Sequence, residues 1–349
     1  MPAPKARSFR VAIVGSDTLR GKEIKSVLST RPFPLRSLEF YDPGVDQEFS
    51  KLTQFRDEPK VVHHLEPRSL AGLDIVFLAA DVRTDTVYGE LAGEMDYRAI
   101  DLSEAFNAHP EVPVVVAGVN DATVKAEKPP LVANPNPMTV ILCHLFQAVR
   151  PAFGIAKAVV FVLEPVSAFE EEAIQELAEQ SFALLGGSSV PRKVFRDQIA
   201  FNLLSRVEKS DANGFSARER RVISEVRRVM HPAEFPLSLS VVLAPVFHTY
   251  SIMTYLELEK DASIAALEAR FRKNGIFHLG PARSEGAMSS VSAAGKDKIF
   301  VGPIKREETL PRSFWVWAVA DNLTLGSAVN AYKIARSLLG VARERARVR

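Results

Sequence analysis

The chain has 349 residues, 47% apolar and 25% charged, which bounds it to a globular protein of about two domains with a sizeable core. A net charge of +2 excludes a body built to bind nucleic acid, and a single cysteine, Cys143, excludes intramolecular disulfides and thiolate metal clusters. No apolar run reaches the roughly 18 residues of a membrane span, and no leader-like apolar stretch precedes the first strand, so the expectation is a cytoplasmic protein with no membrane, metal or nucleic-acid partner. The ends, "PKARSFR" and "ARERARVR", are more basic than the body and are taken as solvated termini in preference to a docking tail.

In chain order, "FRVAIVG" (9–15) is a short β-branched run ending in glycine, the pattern of a buried parallel strand. Helical spacing of Leu19, Ile24 and Leu28 predicts a helix over 18–31. Further strands are predicted at 35–42, 73–80, 97–103, 112–120 and 131–134. Strands alternating with helices argue for α/β, a doubly wound parallel-sheet, Rossmann-like nucleotide domain. Its expected extent is 1–136, completed by a C-terminal helix within 322–349.

The remainder, 137–321, has a different character. "KAVVFVLEPVSAF" (157–169) is β-rich, and an acidic-led helix is predicted at 170–185. Loop is expected at 186–202, a charged amphipathic helix at 216–230, and strand over 237–259. A helix at 261–273 has Asp261 or Ser263 near its cap, a strand covers 313–322, and a last helix at 325–340 ends on glycine. The expectation is an α+β domain with a large mixed or antiparallel sheet.

Two stretches hold the interest. "GSDTLRG" joins the first strand to the first helix and keeps Gly15 and Gly21 of a phosphate-cradling loop, with Ser16 between them. Thr18 takes the middle position and Asp17 adds negative charge where an anion would sit. The loop is therefore either a weakened dinucleotide site or an ordinary strand-to-helix turn. "LVANPNPMTVIL" (131–142) runs from a strand through a turn into a helix, where α/β enzymes often keep a nucleophile, yet the turn holds two prolines.

Six blocks in order resemble the aspartate-semialdehyde dehydrogenase family: "VAIVGSDTLRGKEIKSVL", "IDLSEAF" with "VPVVVAGVN", "VANPNPMT", "AFNLLSRVEKSDANGFSARER", "LAPVFHTYS" and "VADNLTLGSAVNAYKIA". The resemblance covers nearly the whole chain. It implies an amino-acid biosynthetic fold that reductively dephosphorylates an aspartyl phosphate with a nicotinamide cofactor, through a cysteine thioester, a histidine acid-base and an arginine that holds the substrate carboxylate. It also implies a dimerisation domain, and it places Gly15, Ser16, Gly21, Asn322 and Gly326 at the cofactor.

Each catalytic position implied by the resemblance is changed. The cysteine falls on Pro137, the glutamine on Glu164, the arginine on Leu243 and the histidine on Tyr250. Two further arginines fall on Asn107 and Pro303, and the middle glycine of the loop on Thr18. Cys143 lies six positions beyond Pro137, ~9 Å along a helix and ~240° around it, so it is taken as a core thiol. His248, on a strand, would share a face with Tyr250 at ~6.6 Å. Trp315 and Trp317 share a strand face and are expected in the core or an interface.

The expected function is a non-catalytic relative of that family, regulatory or scaffolding, as a homodimer or as a heterodimer with an active relative. No catalytic set is intact, so the family reaction is not expected. NADP or NAD is the expected cofactor, in a weakened site. The alternatives are an NAD(P)-dependent oxidoreductase with changed chemistry, using Tyr250 or His248 as an acid, and a sensor of a nucleotide or other small-molecule ligand.

Overall fold

The computed structural model describes residues 7–45, 51–232, 234–280 and 288–341. Most of both basic ends, 1–6 and 342–349, lies outside the described residues. The chain divides into two compact units, Met1–Pro135 with Ser327–Arg349, and Asn136–Gly326.

The first unit carries a seven-stranded sheet. Its strands are β1 (Phe9–Val14), β2 (Leu35–Asp42), β3 (Lys51–Phe55), β4 (Glu58–His64), β5 (Ile75–Leu78), β6 (Arg98–Asp101) and β7 (Leu131–Ala133). Their order is β3-β4-β2-β1-β5-β6-β7. Every pair is parallel except β3–β4 at the edge. Leaving that edge strand aside, the order reverses between β1 and β5, which makes the crevice above their carboxyl ends the topological switch point of a doubly wound sheet. Helices α1 (Leu19–Thr30), α2 (Val82–Glu90) and α3 (Ala122–Glu127) follow their strands, and α9 (Asn330–Leu338) returns to this unit. Ile13, Phe77 and Ile100 of the sheet pack with Ile24 and Leu28 of α1 and Ile334 of α9 in one core.

Segment 112–120 is not a strand. It makes a single parallel bridge, Val114 to Ala133, and then turns. Side-chain amides take the place of a ladder partner. Asn120 bonds the Val114 carbonyl and the Val116 N–H, each at 2.8 Å. Asn330 bonds the Ala117 N–H and the Val115 carbonyl, each at 2.9 Å. The backbone polar groups are satisfied without a neighbouring strand, so the apolar run alone misleads.

The second unit holds α4 (Pro137–Phe153), β8 (Lys157–Glu164), α5 (Glu170–Leu185), α6 (Ala217–Met230), β9 (Leu237–Leu243), β10 (Tyr250–Glu257), α7 (Ile264–Lys273), β11 (Phe277–Leu279), α8 (Ser290–Ala293), β12 (Ile299–Arg306) and β13 (Ser313–Ala320). Its sheet runs β11-β12-β13-β10-β8-β9 and is mixed, with β8–β9 and β11–β12 parallel. Two predicted strands are shorter than expected. The 157–169 run ends at Glu164 and continues as a 3-10 turn, Val166–Phe169. The 237–259 run is two strands separated by residues 244–249, where Pro245 cannot donate to a ladder.

Alternation on this sheet exposes an apolar face. Val159 and Phe161 are 45% and 44% exposed. Tyr255 lies between Val159 and Trp315, and Met253 between Phe161 and Trp317. The Tyr255 and Trp315 rings meet edge-on at 5.2 Å. Among the described residues, no helix is long and apolar enough to cross a membrane, and no cluster of three or more metal-ligating side chains occurs.

Candidate functional site

The turn after β7 is held at both ends. Asn134 donates its N–H to the Asp101 carbonyl, and its side-chain oxygen accepts from Asn330 at 2.8 Å. Asn136 caps α4, its side chain accepting the Met138 N–H at 2.9 Å. Pro137 is the first residue of the helix, where proline's missing N–H leaves no helical bond unmade. Asn136 sends its own N–H to Glu225 on α6 at 3.0 Å, and the Thr139 hydroxyl donates to the same carboxylate oxygen. Glu225 is 1% exposed. Sequence reasoning missed it, although an acid on the face of α6 shared by Val222, Val226 and Val229 is a readable signal.

No nucleophile replaces the thiol here. Cys143 is fully buried, and burial, with the Glu225 charge adding to it, pushes its thiol well above the usual range. Gly326 packs on Pro137: a Cβ on Gly326 would overlap the proline ring and stand 2.9 Å from Pro137 Cα.

Three of the positions assigned by resemblance come together on the sheet of the second unit. Glu164, at the end of β8, is registered opposite Leu243 of β9. The Tyr250 hydroxyl donates to Glu164 Oε1 at 2.9 Å. Arg218, from the first turn of α6, also donates to Glu164 Oε1, and its guanidinium lies 4.4 Å over the Phe169 ring. Burial pushes the Glu164 carboxyl above the usual carboxylate range, against the opposing pull of Arg218 and Tyr250. Leu243 is 1% exposed and packs with Val166, Leu177, Phe195 and Ile199. That environment offers nothing to a carboxylate.

His248 does not share a strand face with Tyr250. It lies in the bend before β10. Between them Thr249 has φ +78°, an outlier for a β-branched residue, and a buried hydroxyl without a partner. Its N–H is held by Asn322 Oδ1 at 3.1 Å, and Asn322 Nδ2 donates to Ser167 at 3.1 Å. Asn322 is thus 2% exposed and occupied within its own unit. Pro303 stands where β12 shifts register, between Val301 and Ile304, and Asn107 is buried in the turn after β6.

At the switch point of the first unit, Gly15 has φ +77°, and a Cβ there would stand 2.7 Å from Ala80 Cα. A Cβ on Gly21 would run into the Gly15 carbonyl. Both glycines are therefore needed for the close turn, which fits a pyrophosphate cradle. Ser16 is fully buried. Thr18 is the N-cap of α1. Its hydroxyl accepts the Gly21 N–H at 3.0 Å and lies 2.7 Å from the Ala79 carbonyl. One N–H that an anion would use is taken. Asp17 pairs with Lys51 at 2.8 Å, which together with Lys25 outweighs burial and holds its carboxyl below the usual range.

Residues 10–127 match the family model described as the semialdehyde dehydrogenase NAD binding domain, and residues 146–325 the model described as the semialdehyde dehydrogenase dimerisation domain. The aspartate-semialdehyde dehydrogenase of Aquifex aeolicus (strain VF5) is 30% identical over 335 residues, covering 95% of this chain and 98% of its own length. The USG-1 protein homolog of Azotobacter vinelandii is 30% identical over 331 residues, covering 94% of this chain and 97% of its own. Among solved structures, aspartate semialdehyde dehydrogenase II from Vibrio cholerae, complexed with ASA, aligns with a TM-score of 0.89 over 96% of this chain and 99% of that one, at 24% identity. That last likeness is one of fold.

Proposed function

We propose, for a chain that belongs to the aspartate-semialdehyde dehydrogenase family, that it keeps the family's two-domain fold without the family's thioester chemistry and acts as a regulatory or scaffolding protein. The observation that carries this reading is that Pro137, Glu164, Leu243 and Tyr250 are all committed to internal contacts. Pro137 starts a helix against Gly326, Glu164 is shared by Arg218 and Tyr250, and Leu243 lies in an apolar cluster. Thioester formation needs a thiolate, and the buried Cys143 thiol is held in its neutral form. A Tyr250 phenol that donates to Glu164 is a poor acid for direct hydride chemistry, and nothing in the site favours that alternative.

The cofactor part of the reading is that the first unit binds NAD(H) or NADP(H) weakly. Gly15, Ser16 and Gly21 would form the pyrophosphate turn, with Asn322 and Gly326 in the segment after β13. The Gly15 cradle supports this, and the Thr18 cap and the Asp17 charge weaken it. When bound, the nicotinamide supplies hydride-transfer chemistry. This chain's residues near Pro137 supply no acyl acceptor for it.

The reading includes a homodimer in the cytoplasm, with a heterodimer with an active relative as its variant. The half-exposed row of Val159, Phe161, Met253, Tyr255 and Trp315 supports association through the second unit, since such a face on a lone sheet would remain wet.

Intact-mass spectrometry tests the chemistry. The pure protein is incubated with aspartate semialdehyde and NADP+ or NAD+, without phosphate, so that any acyl-enzyme accumulates. The expected spectrum shows the unmodified mass alone. An acyl adduct, mapped to any residue, would overturn the reading.

A further inference from the structure

The inference here concerns the adenosine end of the dinucleotide site and rests on the reading that the first unit still binds a dinucleotide. In a doubly wound sheet of this strand order, the dinucleotide runs from the glycine turn after β1 toward the end of β2, where an acid about 20 residues beyond the glycines takes the ribose hydroxyls. Asp42 is the last residue of β2. Its orientation is fixed, because Oδ1 accepts the Gly44 N–H at 2.9 Å. Its Oδ2 faces Lys51 at 3.2 Å, and the same ammonium reaches Asp17 of the glycine turn at 2.8 Å. One cation is therefore shared between two carboxylates along this path. The next cation, Lys25, is turned to the Thr53 hydroxyl and lies 5.9 Å from the Phe40 ring centre. His64, registered opposite Asp42, has its Nδ1 on the Val45 carbonyl.

We propose that Asp42, with Lys51 committed to it and to Asp17, makes the adenosine end of this site select a ribose with a free 2′-hydroxyl and reject a 2′-phosphate. A 2′-hydroxyl can donate to Asp42. A 2′-phosphate adds nearly two negative charges beside the Asp42 carboxylate and gains Lys51 only by releasing it from a carboxylate. NAD(H) is thus the dinucleotide this chain binds.

Calorimetric titration of the full chain with NAD(H) and NADP(H) is the test, with Asp42→Asn and Lys51→Ala as variants checked for folding by their melting curves. NAD(H) should bind at least about tenfold more tightly than NADP(H). Asp42→Asn should narrow that ratio, and Lys51→Ala, which leaves both carboxylates uncompensated, should widen it. Equal or tighter binding of NADP(H), or a ratio unmoved by Asp42→Asn, overturns the assignment while leaving a dinucleotide site in place. Binding of neither dinucleotide overturns both the assignment and the cofactor reading beneath it.

Discussion

Pro137 and Gly326 fit together only because Gly326 has no side chain. A Cβ on Gly326 would lie 2.9 Å from Pro137 Cα and overlap the ring. Gly326→Ala should therefore destabilise the protein by about 1–3 kcal/mol, the usual cost of overpacking. Urea unfolding measures it. Pro137→Gly in the Gly326→Ala background should recover much of the loss, since it removes the atoms that clash. A full loss in the double variant would mean that the cost lies elsewhere.

Arg218 is the cation nearest the buried Glu164, and replacing it with methionine strands a carboxylate in the interior. Arg218→Met should cost about 3 kcal/mol near neutral pH. The pH dependence follows from the raised Glu164 carboxyl. In the unfolded chain this group ionises near its ordinary range of ~4.3. In the folded variant it stays protonated to higher pH. The folded state therefore holds more protons in that window, and stability falls as pH rises through it. Below the ordinary range both states are protonated and the loss should shrink. Unfolding curves across pH, comparing Arg218→Met with the parent chain, check the sign.

Cys143 is predicted to resist thiol reagents. The thiolate is the reactive form, and burial disfavours it. Ellman's reagent should label native protein only at the rate of opening, and label urea-unfolded protein at once. Rapid labelling of the native chain would show an accessible thiol and would revive it as a nucleophile.

Asn330→Ala removes the partner of the Ala117 N–H, the Val115 carbonyl and the Asn134 side chain. These groups are buried, so the expected loss is about 3 kcal/mol, from more than one unsatisfied polar group. Thermal melting checks it. A change within about 0.5 kcal/mol, the range of a neutral surface substitution, would mean that water or a neighbour replaces the amide.

Much of the fold was legible because its strands announce themselves by buried β-branched runs, such as Val11 to Val14 and Ile75 to Leu78. The β3–β4 hairpin was not. Its turn is Arg56-Asp57, both with positive φ, where a tight hairpin normally shows Asn-Gly. Its strands are also mostly polar and sit at the sheet edge. Helix α2 was invisible because its buried face is Asp85, Tyr88 and Gly89, which gives no apolar stripe. In β12, Pro303 argued against a strand that accommodates it at a register shift.

At the candidate site, the replacements Pro137, Glu164, Leu243 and Tyr250 were legible from their blocks. What fills the space was not. Arg218 and Glu225 approach from α6, which is distant in sequence from the residues they touch. No local pattern says that a charged amphipathic helix will turn two of its charges inward. The strain at Thr249 was equally hidden, because it depends on Asn322 holding its N–H. Asp42 was readable as an acid closing the second strand, but its role depends on Lys51, which arrives from the edge hairpin.

The most direct measurement is the family reaction itself, phosphate-dependent oxidation of aspartate semialdehyde by the pure protein, followed by reduced-nicotinamide absorbance with NADP+ and with NAD+. Pro137, a shielded Cys143 and an occupied Glu164 predict a rate indistinguishable from the protein-free control with either cofactor. Robust turnover that depends on phosphate and saturates with semialdehyde would contradict a chain that has lost its thioester chemistry.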